Sequence, residues 1–265
     1  MAAMNSSMIS LAATKLLCPI SRKILARDGL YDFSYKLNIS HKYRYVYVDN
    51  PKTGCSSLKS ALIEMEQNGH QSNGGIIDYK IIHSSSSPLN AVPPLYPDKT
   101  LTRLKSLNYT FFTFVRNPYT RLLSCYLNKF VVKKSPVAEI FYKTFGTLPE
   151  DFEHFIQLIA TQADHEMNPH WRVQSSQIHY DAIPYRFIGR FENYDSDFNA
   201  VFQHLGIPQE SVPRRRHLNQ TSGEINSLAN CNRRTAKLIY DRFKVDFVNF
   251  AYPEDHSIIS SDDAD

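Results

Sequence analysis

Only four cysteines, nine glycines and one tryptophan occur in the 265 residues, and neither sign of charge dominates beyond a formal +4. Cys18, Cys55, Cys125 and Cys231 form no CxxC pair and no Cys/His ligand spacing, which argues against a zinc site. Any disulfide would need an oxidising compartment, and Cys55 and Cys125 are expected to stay reduced. No stretch reaches the roughly 20 apolar residues of a membrane helix. The weakly apolar segment from Met8 to Ile20 carries Lys15 and is too interrupted for a signal sequence. A charge of +4 is too mild to imply non-specific nucleic-acid binding. The standard triphosphate loop, GxxxxGK[ST], does not occur, and there is no internal repeat.

What is present concentrates in two segments. The first, Tyr43 to Leu58, reads YRYVYVDNPKTGCSSL. Its aromatic and β-branched start predicts a strand that Asn50-Pro51 ends, because proline lacks a ladder donor and restricts the residue before it. Lys52-Thr53-Gly54 then turns the chain, with Gly54 free to take a positive φ and to let an anion approach the main chain. Ser56 and Ser57 fall where a helix begins with unpaired N–H groups. That helix is expected over about Ser56 to Glu66, with Leu58, Ala61, Leu62 and Met65 inward and Lys59, Glu64 and Glu66 in solvent. Taken alone, the segment is equally a plain strand-turn-helix corner or an anion site.

The second segment, Phe111 to Phe130, reads FFTFVRNPYTRLLSCYLNKF. A buried strand delivers Arg116 at its carboxyl end, and Asn117-Pro118 opens a helix with proline at its first position. Arg116 and Ser124 can face one phosphate, the guanidinium as a fork and the hydroxyl as a second donor. Arg121 is expected to pair with a carboxylate rather than a ligand.

Together, PKTGCSSL and FTFVRNPYTRLLSCYLNKF resemble the carbohydrate sulfotransferases of the Golgi membrane-associated type and their bacterial relatives. The resemblance implies that Lys52, Thr53, Gly54, Cys55, Ser56 and Ser57 hold the 5′-phosphosulfate of 3′-phosphoadenosine 5′-phosphosulfate (PAPS), and that Arg116 and Ser124 hold its 3′-phosphate. Cys55 departs from the family's usual small residue, although its main-chain N–H can still serve. Supporting matches are Asn168-Pro169-His170-Trp171 through Gln174, Ile188 to Asn193, and Lys237 to Tyr252. The implied reaction is sulfuryl transfer to a hydroxyl of a glycan or glycolipid, with Lys52 stabilising the leaving group and no metal required. The Golgi members carry an N-terminal anchor. With none recognised here, a soluble cytoplasmic enzyme is expected, or a Golgi-lumenal one if an anchor is missing from this chain.

Strands alternating with helices predict an α/β fold, a P-loop-like parallel sheet flanked by helices on both faces with helical insertions. The expected organisation is a leader over 1–40, a sulfotransferase domain over 41–253 and an acidic tail over 254–265. Tyr79 to His83 is expected to be a strand, which would put His83 at a ligand-binding sheet end and make it the first choice of general base. His170 is the second choice, and Asp78 and Glu64 are outside candidates. His170, Trp171 and Arg172 are candidate acceptor contacts, with Trp171 either a stacking face for a sugar or a core anchor. Arg214 and Arg215, in the RRRH cluster, are either a solvated loop or a cationic lid over the nucleotide. Two other functions stay open at this point, a kinase using ATP and a catalytically silent nucleotide- or glycan-binding module.

Overall fold

The computed structural model of the protein describes residues 19–67, 79–82, 87–89, 97–132, 135–213 and 231–254. In chain order they form α1 (Pro19–Lys36), β1 (Leu37–Ser40), β2 (Tyr45–Val48), α2 (Cys55–Gln67), α3 (Tyr79–Ile82) and α4 (Pro97–Ser106). β3 (Thr110–Val115), α5 (Pro118–Tyr126), a π turn (Leu127–Val131), α6 (Pro136–Phe145), α7 (Phe152–Ala160) and α8 (Gln174–Gln177) follow. β4 (Phe187–Arg190), α9 (Tyr194–His204) and α10 (Arg233–Asn249) complete the set.

The four strands make one sheet in the order β1-β2-β3-β4. β2, β3 and β4 are parallel, and β1 is antiparallel to β2 with Leu37 opposite Val48. The expected parallel sheet therefore carries one antiparallel edge. The segment before residue 41, expected as a leader, contributes that edge strand and also α1, whose Ile24 and Phe33 are buried in the core.

Strand alternation divides the core between two faces. Val46, Val48, Phe111 and Val115 pack with α5, α7 and α10 through Tyr119, Leu122, Phe155, Ile239 and Phe243. Tyr45, Tyr47, Phe112 and Phe114 face the other way, against Leu58 and Leu62 of α2 and Phe198 and Phe202 of α9. Helices thus cover both faces. Burying each such side chain contributes roughly 1.5–3 kcal/mol. Tyr47 stacks on Phe112 with ring centroids 5.3 Å apart. Gly189 leaves room for the next ring, since a Cβ there would stand 2.5 Å from Phe114 Cε1.

Tyr79 to Ile82 is a helical turn and not a strand. Four apolar and aromatic residues suit either conformation, so length and periodicity could not separate them. His83 lies outside the described residues, as do Asp78, Arg214 and Arg215, and the strand expected to lead into His83 is not formed over Tyr79–Ile82. Among the described residues no helix is long and apolar enough to cross a membrane.

Candidate active site

Because β2 and β3 are parallel neighbours, the two sequence segments leave the sheet side by side. The β2 end turns through Pro51, Lys52, Thr53 and Gly54 into α2. Lys52 has φ 73° and Gly54 φ 82°. The left-handed conformation at a non-glycine residue costs on the order of 1–3 kcal/mol and marks a turn held by its surroundings. Thr53 is buried and its hydroxyl donates to the Asn50 carbonyl at 2.7 Å, closing the turn from within. Gly54 has no alternative, since a Cβ would lie 2.7 Å from Tyr194 Cε2 on α9. Ser56 and Ser57 stand in the first turn of α2, where backbone N–H groups lack intrahelical partners.

Arg116 meets this turn directly. Its Nη1 donates to the Lys52 carbonyl at 3.3 Å, its Nε donates to Thr120 Oγ1 at 3.0 Å, and its guanidinium lies 4.2 Å over the Phe191 ring. Burial pushes Arg116 down to about 10, against the pull of the Glu192 carboxylate. Thr120, not singled out in the sequence, orients Arg116, and buried Ser124 lies one turn further along α5. Asn117 caps α5, its side chain accepting from the Tyr119 N–H at 2.9 Å.

Lys52 is mostly buried. Burial pushes its ammonium down to about 8, and the positive charges of Lys129 and Arg116 act in the same direction. The charges of Lys129 and Arg116 thus both bear on Lys52. Beside the turn, Lys59 is only 1% exposed and binds Asp49 at 2.7 Å, which corrects its expected place in solvent. Burial opposes its charge, but the Asp49 carboxylate more than compensates and raises it. The Cys55 thiol, pushed up to about 12 by burial and by Asp49, stays protonated at neutral pH.

Among the described residues Arg121 binds no carboxylate. It donates to three main-chain carbonyls, Pro51 at 3.0 Å, Arg172 at 2.8 Å and Pro169 at 3.1 Å. One side chain thereby ties the Lys52 turn to the 169–172 loop that carries His170. In that loop Asn168 Oδ1 accepts from the His170 N–H at 3.1 Å and lies 2.7 Å from His170 Nδ1. With the proton on Nδ1, Nε2 is the accepting nitrogen.

Of the two readings held for Trp171 the structure takes the core anchor, and Arg172 beside it also turns inward. Trp171 is 1% exposed, packs edge-on against Phe141 and Phe155, and donates Nε1–H to Gln162 at 2.9 Å. It is a core anchor with no face for a sugar. Arg172 is also buried and binds Asp28 at 2.6 Å and the Met167 carbonyl at 3.0 Å. Its charge is committed inside the protein.

The supporting layer was not apparent from sequence spacing. Gln174 Oε1 accepts from the Arg116 N–H at 3.0 Å and from Asn50 Nδ2 at 3.1 Å. Gln174 Nε2 donates to the Arg116 carbonyl at 2.7 Å. Asp246, buried on α10, in turn accepts from the Gln174 and Ser175 N–H groups, each at 2.7 Å. No group of three or more His, Cys, Asp or Glu side chains among the described residues is arranged to hold a metal ion.

The sulfotransferase family model matches residues 35–253, most of the chain. The chain belongs to that family. The match spans β1 to the end of α10 and so contains both strand ends and the His170 loop. Among curated relatives, carbohydrate sulfotransferase 14 of Danio rerio is 28% identical over 254 residues, covering 89% of this chain and 65% of the relative. Carbohydrate sulfotransferase 9 of Homo sapiens is 26% identical, covering 85% and 55%, and carbohydrate sulfotransferase 11 of Mus musculus is 28% identical, covering 80% and 65%. The chain thus spans between about half and two thirds of the length of these relatives. No solved structure matches the chain.

Proposed function

We propose that this protein transfers a sulfuryl group from PAPS to a hydroxyl of a carbohydrate, on a P-loop-like α/β scaffold. The observation that carries the reading is the contact between Arg116 and the Lys52 turn at the ends of two parallel strands. It gathers cations and helix-terminal N–H groups for a nucleotide with phosphates at both ends. The names of the relatives support the reaction class and the carbohydrate acceptor.

In this reading the main-chain N–H groups of the turn, with Ser56 and Ser57, bind the 5′-phosphosulfate. Thr53 contributes through its backbone, because its hydroxyl already closes the turn. Arg116 and Ser124 bind the 3′-phosphate. His170 Nε2 takes the proton from the acceptor hydroxyl as its oxygen bonds to sulfur. Lys52 holds the 5′-phosphate oxygen that receives the electron pair of the breaking S–O bond. His170 is favoured as base because Arg121 ties its loop to the Lys52 turn and Asn168 sets its tautomer.

Calorimetric binding of adenosine 3′,5′-bisphosphate beside ADP, to wild type and Arg116→Ala, tests the donor site. Preference for the bisphosphate that disappears in the variant, with the variant still folded by circular dichroism, supports it. Equal or tighter binding of ADP overturns it in favour of a kinase.

A further inference from the structure

β4 runs parallel to β3 with Arg190 opposite Val115, so the residue that follows β4, Phe191, emerges beside the residue that follows β3, Arg116. The two side chains meet there, with the Arg116 guanidinium carbon 4.2 Å from the centre of the Phe191 ring. The ring is itself held from several directions. Glu192, next in the chain, accepts from the Asn117 N–H at 2.8 Å and from the Tyr252 hydroxyl at 2.9 Å, which ties the end of β4 to the start of α5 and to the segment after α10. Burial, with the Glu192 carboxylate beside it, pushes the Tyr252 phenol far above its ordinary value, so it stays a donor. Arg190 donates to the Phe250 carbonyl at 2.6 Å and lies 4.9 Å over the Tyr252 ring. Phe191 also packs on Tyr194, centroids 5.9 Å apart, the residue whose ring closes against Gly54 of the Lys52 turn.

Arg116 is 6% exposed, and among the described residues it forms no ion pair; its contacts are the Thr120 hydroxyl, the Lys52 carbonyl and the Phe191 ring. A buried guanidinium held only by neutral groups keeps its charge available for an anionic ligand. It reads a phosphate as a flat fork, so the tilt of its plane decides whether two N–H groups or one reach the oxygens. The bonds from Nε and Nη1 fix two points of that plane. The aromatic face beneath it fixes the tilt. We infer that Phe191 is a positioning residue for nucleotide specificity, its ring setting the plane of Arg116 so that the protein prefers a nucleotide carrying a 3′-phosphate over one without it. The inference rests on the proposed donor site, and it assigns the strength of that preference to the end of β4, outside both motif segments.

The test compares adenosine 3′,5′-bisphosphate with AMP, which lacks only the 3′-phosphate, by calorimetry on the full chain and on Phe191→Leu and Phe191→Tyr. Phe191→Leu should lower the preference for the bisphosphate about 3- to 30-fold, the range expected for a lost cation–aromatic contact, and leave AMP affinity unchanged. Phe191→Tyr keeps the aromatic face and should recover most of the preference. An unchanged preference in Phe191→Leu overturns the assignment. So does an equal loss for both nucleotides, which would put the ring on the adenosine or the 5′-phosphate that they share. Phe191 is only half-buried, so the variants should retain the wild-type circular dichroism spectrum. Phe191→Met, which keeps the bulk without a ring, is measured in the same way so that the outcome does not depend on one substitution folding. A wild type that shows no preference for the bisphosphate over AMP overturns the donor site itself, and is seen before any variant is compared.

Discussion

Gln174 binds both main-chain groups of Arg116, accepting from its N–H at 3.0 Å and donating to its carbonyl at 2.7 Å. The side-chain amide acts as a strand neighbour just where β3 ends, and its bond to Asn50 extends the grip to the segment following β2. The relative position of Lys52 and Arg116 therefore depends on a residue from a third segment. Gln174→Ala leaves buried donors and an acceptor unpaired, at about 1–3 kcal/mol each. The expected outcome is a urea midpoint lowered in proportion and weaker binding of adenosine 3′,5′-bisphosphate. Wild-type stability and affinity together would show that Gln174 does not hold the site.

Lys52→Ala separates chemistry from folding. Lys52 makes no ion pair among the described contacts and sits at positive φ, so its removal should cost little stability. Loss of a preorganised cation at the leaving group should lower kcat on the order of 10²- to 10³-fold. A turnover number within a few-fold of wild type rejects that role.

The depressed Lys52 ammonium predicts a pH dependence of nucleotide binding. In the free protein burial brings it to about 8, and a bound polyanion raises it again. Affinity is then full below about 8 and falls as pH rises through that value, with proton uptake on binding. Calorimetry of adenosine 3′,5′-bisphosphate between pH 6.5 and 9.5, in buffers of different ionisation enthalpy, should show both effects in wild type and neither in Lys52→Ala. Equal profiles for the two proteins reject the assignment.

The centre of the sheet was legible because β2 and β3 are short aromatic or β-branched runs whose neighbours end them. The expected start of α2 at Ser56 lies one residue from the observed Cys55. Other features were written in the sequence and not used. Ser135-Pro136 and Gly146 are start and stop signals for α6, with Ser135 accepting from Val137 N–H and Gly146 at φ 73°. Some features had no local signature. Arg121 satisfies itself on three carbonyls from segments 48 to 70 residues away, and no spacing rule distinguishes that from an ion pair. Trp171 and Arg172 follow His170 on the site loop, yet both turn inward, because β-like alternation does not apply in a looped segment.

Asp28 on α1 gathers Lys36, Arg172 and His179 in a fully buried cluster that joins α1 to the segment after the His170 loop. Burial works against the Asp28 charge, but the His179 hydrogen bond and the Lys36 charge outweigh it and hold Asp28 well below the usual carboxylate range. Burial holds His179 below its ordinary value, despite Asp28. Both groups are depressed, so their stabilisation is present above their unfolded values and lost as pH falls. His179 acts first, below about 6.5, and Asp28 below about 4. Urea unfolding should show stability declining from pH 7 to 5, and Asp28→Asn should cost roughly 3–5 kcal/mol at pH 7 by stranding its partners. A flat profile over that range would remove His179 from the account.

Lys59 offers the sharpest contrast between spacing and structure. On a solvated face, truncation would change stability by no more than about 0.5 kcal/mol. Buried against Asp49, whose Oδ2 accepts from its ammonium while Oδ1 has no hydrogen-bond partner among the described residues, it should behave differently. Lys59→Met strands a carboxylate beside the Lys52 turn and should cost roughly 3–5 kcal/mol. Adding Asp49→Asn removes the stranded charge and should return much of that loss, since the pair's attraction largely offsets its desolvation. A double-mutant cycle by urea denaturation measures the coupling directly. Additive losses would place Lys59 in solvent after all, while strong coupling makes the pair the charged support on which the Lys52 turn is built.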